Sequence, residues 1–312
     1  MHRTVKYLLI VGGSALAAEK EPIREIERIR VEPLEKKKVQ VISENCGQLE
    51  LARRAPACFL TTSRQILVAG GCQGPNEHSD TSEIYDVSNF QSKLVEEKLE
   101  IGASCSAFDP SSSGKFKPIF GGFVAHSCLD DVQVIEESTW KCRKLPNKLP
   151  KIKNSTVLEV KNGEFLLFGG WEDEQRTTRA IRRVVFNEDF TECTVEFAGF
   201  LPYAVEGHSC VRNGSDVYLI GGFDGCAVID TIVKYNLETK QSEILPTKLF
   251  EKRENHVSAL LSGRFLVVAA GWNGLKSLDD VEVFEIGEHN LERCHVAGSL
   301  QMARNRPSAV PV

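Results

Sequence analysis

The chain has 312 residues, 42% of them apolar and 26% charged, with a formal net charge of -5 and a pI near 5.9. That balance excludes disorder, and it supplies no global basic field to hold nucleic acid or an anionic membrane. No run approaches the roughly 18 apolar residues of a membrane span, and the ten cysteines show neither CxxC pairs nor zinc-site spacing, which predicts free thiols in a reducing, cytoplasmic compartment.

The first element, "YLLIVGG" at residues 7–13, has two readings. As an address it offers basic Arg3 and Lys6, an apolar run from Tyr7 to Val11 and a small-residue cleavage site at Ala15-Leu16-Ala17. As structure it is a strand ending in two glycines. The strand reading is favoured because the motif recurs as "QILVAGG", "FKPIFGG", "EFLLFGG", "VYLIGG" and "FLVVAAG". The leading positions are Gly12, Gly70, Gly121, Gly169, Gly221 and Ala270, a spacing of roughly 50 residues that fits a long structural repeat.

Each unit continues in the same way. A loop leads to an alternating strand, as in "TSEIYDV", "DDVQVIE", "RAIRRVVFN", "DTIVKYN" and "DDVEVFEI". A turn and an outer strand follow ("WKCRKLP", "QSEILP"), and an inner strand precedes the next glycine pair ("RRAPACFL", "GHSCV", "NHVSALL"). Four strands that cannot bury their own faces make one blade of a propeller. In the first unit Ile23, Ile26 and Ile29 recur at helical spacing, yet the repeat aligns "IREIERIRVEPLEKKKVQVIS" as strand, charged turn and strand.

The chain ends "LQMARNRPSAVPV", an inner strand with no glycine strand after it, while the start is a glycine strand with no inner strand before it. The interval across the termini matches the repeat, so the last strand is expected to complete blade one and close the ring. Losing Tyr7–Val11 to a cleavage would forfeit about 8–15 kcal/mol of apolar burial as an upper estimate. The sequons at Asn154 and Asn213 do not change this, since the first falls on an inner strand where a glycan has no room.

The repeat resembles the kelch family, most closely in "VYLIGGFDGCAVIDTIVKYNLETKQSEILP", and the resemblance runs over essentially the whole chain. Departures are an outer-strand tryptophan present only as Trp140, the Ala270-Gly271 pair, and the charged segment of blade one. The resemblance implies an all-β, six-bladed propeller with four-stranded antiparallel blades, forming one domain over residues 1–312. It implies a non-enzymatic protein-interaction module, an intracellular adaptor or scaffold, with actin or a ubiquitin-ligase component among the possible partners. No BTB or F-box segment is visible. The alternative is an enzyme, since sialic-acid mutarotases are also kelch-like propellers with polar residues at the central opening.

The expected binding face is the side where loops leave the glycine pairs and lead into the inner strands, because those strands are antiparallel neighbours. The residue after each pair is Ser14, Cys72, Phe123, Trp171, Phe223 or Trp272, so four aromatics make a candidate contact ring. The segments leading into the inner strands add Arg53, Arg54, Arg253, Arg304 and Arg306, with Tyr203, Asn255 and His256 beside them. In kelch adaptors such arginines read acidic peptides, and Arg54, Arg253 and Arg304 are assigned to those positions by the resemblance. Pairing with Glu172, Asp173, Glu174 and Asp224 is the competing role. Cys58, Cys105, Cys210, Ala259 and Ala309 are read as small residues at matching inner-strand positions. His78, His126, His208 and His256 share a face but lack metal-ligand spacing, and the copper-oxidase arrangement is not matched, so no metal or cofactor is expected.

Overall fold

The computed structural model describes residues 5–15, 21–35, 37–112, 114–173, 176–287 and 290–312. Six radial sheets follow one another round a central channel. Blades two, four, five and six are four-stranded and antiparallel. From channel to rim they run Ala57–Leu60 to Gln91–Leu94, Thr156–Lys161 to Cys193–Phe200, Ser209–Asn213 to Ser242–Ile244, and Val257–Leu261 to Leu291–Arg293.

Blade one closes the ring. Its glycine strand Leu8–Val11 pairs on one side with Glu25–Glu35 and on the other with the C-terminal Ser308–Pro311, in register Leu8 to Pro311 and Val11 to Ser308. Leu8–Val11 of the disputed N-terminal run is therefore a fully buried strand, with Tyr7 half-buried before it, and residues 16 and 17 of the proposed cleavage site lie outside the described residues. The segment with helical spacing forms two long strands, Glu25–Glu35 and Lys38–Gln48. A fifth strand, His295–Ala297, arrives from blade six and pairs in parallel with Lys38–Gln40 at the rim, fastening the ring a second time.

The glycine pairs are explained by a close approach between blades. The second residue of each pair donates its N–H to a carbonyl on the segment entering the next blade, as Gly170 does to Val205 at 2.8 Å. The first sits at positive φ, where a Cβ on Gly169 would lie 2.2 Å from that carbonyl oxygen. Ala270 holds the same backbone at φ 63, a conformation in which L residues are strained.

Six apolar clusters fill the six gaps between neighbouring blades, including Leu8, Ile10, Val257 and Val267 between blades six and one. Side chains on each sheet thus face the two adjacent blades, and stability is shared between neighbours round the ring. Blade three departs from the pattern, having three named strands and only an isolated bridge, Ala107 to Phe120, at the inner position. Buried Lys117 substitutes for the missing ladder: its Nζ donates to the carbonyls of Leu60 and Ser112 at 2.9 and 2.7 Å, tying the irregular segment to blade two.

Candidate functional site

On the loop face the channel mouth is framed by six residues, one leading into each blade. Cys105 donates its N–H to the carbonyl of Ala55, Asn154 to Cys105, Gly207 to Asn154, Asn255 to Gly207, Arg306 to Asn255 and Ala55 to Arg306, at 2.7–3.2 Å. All six have φ between 48 and 60. This closed hydrogen-bonded collar turns the chain sharply from the loop face into the channel. It holds five non-glycine residues in the left-handed region, a conformation that surrounding structure must over-determine. Beneath it lies a channel cavity of about 510 Å³, with Thr156, His208, Ser209, His256 and Ser258 on its walls.

The collar fixes the register of the inner strands and corrects two expectations. Cys105 is a collar residue and does not match Cys58 or Cys210, and Ala259 lies one residue beyond the position that Ser258 shares with Cys58. The equivalent arginines are Arg53, Arg253 and Arg304, whose carbonyls receive the N–H of Gly13, Gly222 and Gly271. Arg54 is one step further on, beside Cys72.

Arg253 and Arg304 are not surface readers of a ligand. Both are fully buried, as is Arg53. Arg253 donates to the Ala270 carbonyl at 2.9 Å, to Glu282 Oε1 at 2.9 Å and to Asp280. Arg304 donates to the carbonyls of Gly12 and Glu25, both at 2.8 Å, and to Glu27. Arg53 does the same with Gly70, Thr81 and Glu83 in blade two. Each is a staple whose backbone is bound to one blade and whose guanidinium is bound to the next.

Arg306 is the arginine that reaches the mouth. It approaches from the blade-one side, and its Nη1 contacts Cys105 Sγ at 2.9 Å and Asn154 Oδ1 at 3.4 Å, on the segments entering blades three and four. Its side chain therefore spans the opening. Cys105 above all, with Glu254 and Glu206, holds its guanidinium above the usual range. Around it the face is polarised: Arg54 and Lys153 stand before blades two and four, Glu206 and Glu254 before blades five and six. Burial raises the Glu254 carboxyl, with Arg306 opposing the shift.

The four predicted aromatics are half-buried and occupy four consecutive blades, three to six, whereas Ser14 and Cys72 are buried. Lys153 Nζ lies 4.2 Å from the Phe123 ring centre and 5.9 Å from that of Trp171, a cation shared by two rings. Phe223 bridges Glu206 and Val228, and Trp272 bridges Glu254 and Ser277, below the exposed tip residue Leu275. Tyr203 packs half-buried among Leu201 and Val205, where burial pushes its hydroxyl up to about 12. Asn255 lies in the collar, and His256 is buried with Nε2 on Ser209 Oγ at 2.8 Å. His208 makes the corresponding bond to Thr156 Oγ1 at 2.9 Å. Among the described residues no group of three or more His, Cys, Asp or Glu is placed to hold a metal.

Six radial blades, glycine-pair strands and a loop face gathered round a collared channel define a kelch-type β-propeller. The chain belongs to the KLHDC2/KLHL20/DRC7 Kelch-repeats domain family, whose pattern matches residues 119–312. Kelch-like protein 21 of Rattus norvegicus and that of Homo sapiens are each 38% identical over 65 residues, a match spanning 20% of this chain and 11% of each relative. The solved structure of YjhT superposes with a TM-score of 0.70 over 94% of this chain and 98% of its own, at 10% identity, and so speaks to the fold alone.

Proposed function

We propose that the chain acts as a non-enzymatic protein-interaction module, one domain over its whole length, that docks a peptide or protein segment on the loop face between blades three and six. The observation that carries this reading is the crescent of Phe123, Trp171, Phe223 and Trp272 beside a mouth spanned by Arg306. Half-exposed aromatics next to a cation suit an acidic segment with apolar anchors. We extend this reading to an adaptor or scaffold role in a reducing, cytoplasmic compartment, which the kelch-family match and ten unpaired cysteines support.

Proximity labelling in cells tests this, comparing the wild-type chain with a Trp171→Ala, Trp272→Ala variant. The expected result is loss of a defined set of neighbours with an unchanged melting temperature. An unaltered neighbour set, or a variant that melts early because the rings only brace their own blades, rejects the reading.

A further inference from the structure

The rims of the six blades are not equally protected. An outermost strand presents unpaired backbone N–H and C=O groups, and proteins guard such edges by keeping them short, by covering them, or by placing lysine and proline on them. Blades two, five and six use length, with outer strands of four, three and three residues. Blade one has an outer strand of eleven residues and covers it with His295–Ala297. Blade three has seven residues, Cys142–Lys148, and carries Arg143, Lys144, Pro146 and Lys148.

Blade four uses none of these three: a register shift opposite Ile181 and Arg182 marks a bulge at the loop-face end of its outer strand, and the stretch Cys193–Phe197 before it is regularly paired and unguarded. Its outer strand, Cys193–Phe200, reads CTVEFAGF, eight residues without lysine, arginine or proline. Phe197 and Phe200 are 63% and 56% exposed and touch edge to face at 4.8 Å. A Cβ built on Gly199 would meet nothing within 4 Å.

The direction of the free backbone groups follows from register. Phe186 opposes Cys193, and its N–H turns away to the Gly163 carbonyl at 2.8 Å, so this is a non-hydrogen-bonded pair. Accordingly the Cys193 N–H points outward, to Asn147 Oδ1 of blade three at 3.0 Å. By alternation Val195 and Phe197 also turn their amides and carbonyls outward, beyond the reach of Asn147. At the loop-face end Arg179 lies 4.5 Å over the Phe200 ring and has no acidic partner among the described residues, while Glu196 is engaged by Arg183 at 3.1 Å.

We propose that the outer edge of blade four is a strand-addition site for an extended segment of a partner protein, with an apolar side chain against Phe197 and Phe200 and a carboxylate for Arg179. Blade one shows the same chemistry within the chain, where a three-residue strand adds to a long outer strand. A second copy of this edge is the poorer occupant, because it brings another uncompensated Arg179 to a rim that already carries one. The site is independent of the loop-face crescent.

The test uses a phage library of short random peptides selected on the intact chain, with winners remeasured by fluorescence polarisation and amide hydrogen exchange. Selected peptides should be rich in aromatic or β-branched residues with an Asp or Glu, and should protect the Val195 and Phe197 amides. Phe197→Pro, which removes an outward N–H and no ladder bond, and Arg179→Glu should each weaken binding by about tenfold or more. Phe197→Ser with Phe200→Ser serves if the proline variant melts early. Trp171→Ala with Trp272→Ala should leave binding unchanged. The proposal is overturned if no selected peptide protects these amides, if the edge variants bind at wild-type strength, or if sedimentation shows the chain self-associating through Phe197.

Discussion

Arg253 places its guanidinium where none of the side chain meets water, and the reason is visible in its partner. The position facing each staple covaries with it round the ring: Arg53 with Glu83, Arg253 with Glu282 and Arg304 with Glu27. Where the arginine is absent the acid is too, as with Ala103 beside Gln133 and Val205 beside Val233. Glu282 also accepts the Phe250 N–H, and Gln133 accepts that of Ile101. Removing one member of a buried pair leaves an uncompensated charge. Arg253→Ala should therefore cost about 3–5 kcal/mol in chemical denaturation. Adding Glu282→Gln, which copies blade three and keeps the acceptor, should recover part of that loss. A double variant no more stable than the single one would show that packing around the guanidinium, and not charge pairing, is what the staple provides. His208 gives a second prediction at this scale. Burial drives its imidazole down to about 3, and His256 shifts the same way. The unfolded chain takes up protons at its histidines as pH falls through about 6.5 while the folded chain refuses them. Stability present above pH 6.5 should decline as pH falls, before most carboxylates titrate. His208→Ser, copying Ser155 of blade four, should flatten the decline between about pH 6.5 and 5. An unchanged slope would mean that the imidazole gains its proton in place.

A single strand can decide whether the ring exists. Ser308–Pro311 is the inner strand of blade one, and Val310 and Ala309 sit in the clusters on its two sides. Deleting residues 306–312 removes that strand together with the collar residue Arg306, leaving Leu8–Val11 with an open edge. The truncated chain should lose its cooperative melting transition or melt lower by about 10 °C or more, and a melt superimposable on that of the intact chain would disprove closure by this strand. The closure was legible in the sequence because the close approach between blades demands a glycine pair, or its Ala270-Gly271 variant, in every blade regardless of what the loops do. For the same reason the repeat overruled the isoleucine spacing in residues 23–29. Inner-strand register was less legible. Ala55, Cys105, Asn154, Gly207, Asn255 and Arg306 share a backbone conformation and no side-chain chemistry, so nothing in the letters aligns them. Misplacing that register put Arg54 in the place of Arg53 and grouped Cys105 with Cys58. The strand His295–Ala297 left no signal either, since it is held by pairing with a distant segment.

At the scale of the whole molecule the propeller is nearly symmetric in backbone and asymmetric in charge. Aromatics stand on blades three to six, and within that sector the sign changes from Lys153, with Arg54 and Arg306 on its flank, to Glu206 and Glu254. The aromatics are legible in the sequence because their offset from the glycine pair is fixed, whereas the arginines are legible only as residues, with no sign of which are buried. Burial depends on whether the next blade offers a glutamate, which is a contact across the ring. With Arg253 and Arg304 committed to the core, steering of an acidic segment falls to Arg54, Lys153 and Arg306. All three are half-buried at the mouth, where charges act mainly on the association rate and salt screens them as far as water reaches. Once a loop-face partner is identified, Lys153→Ala and Arg306→Ala should each slow association a few-fold at low salt. Glu254→Gln should speed it, and Glu206→Gln, at a buried carboxylate, should do so more weakly, because each removes a repulsive charge while keeping an acceptor for neighbours such as Asn154. All four effects should shrink at high ionic strength, where the Debye length falls to about 3 Å. Stopped-flow association measured at two salt concentrations decides the matter. If the glutamine variants slow binding as the alanine variants do, the segment that docks there is not acidic, and the aromatic crescent must recognise its partner by apolar contact alone.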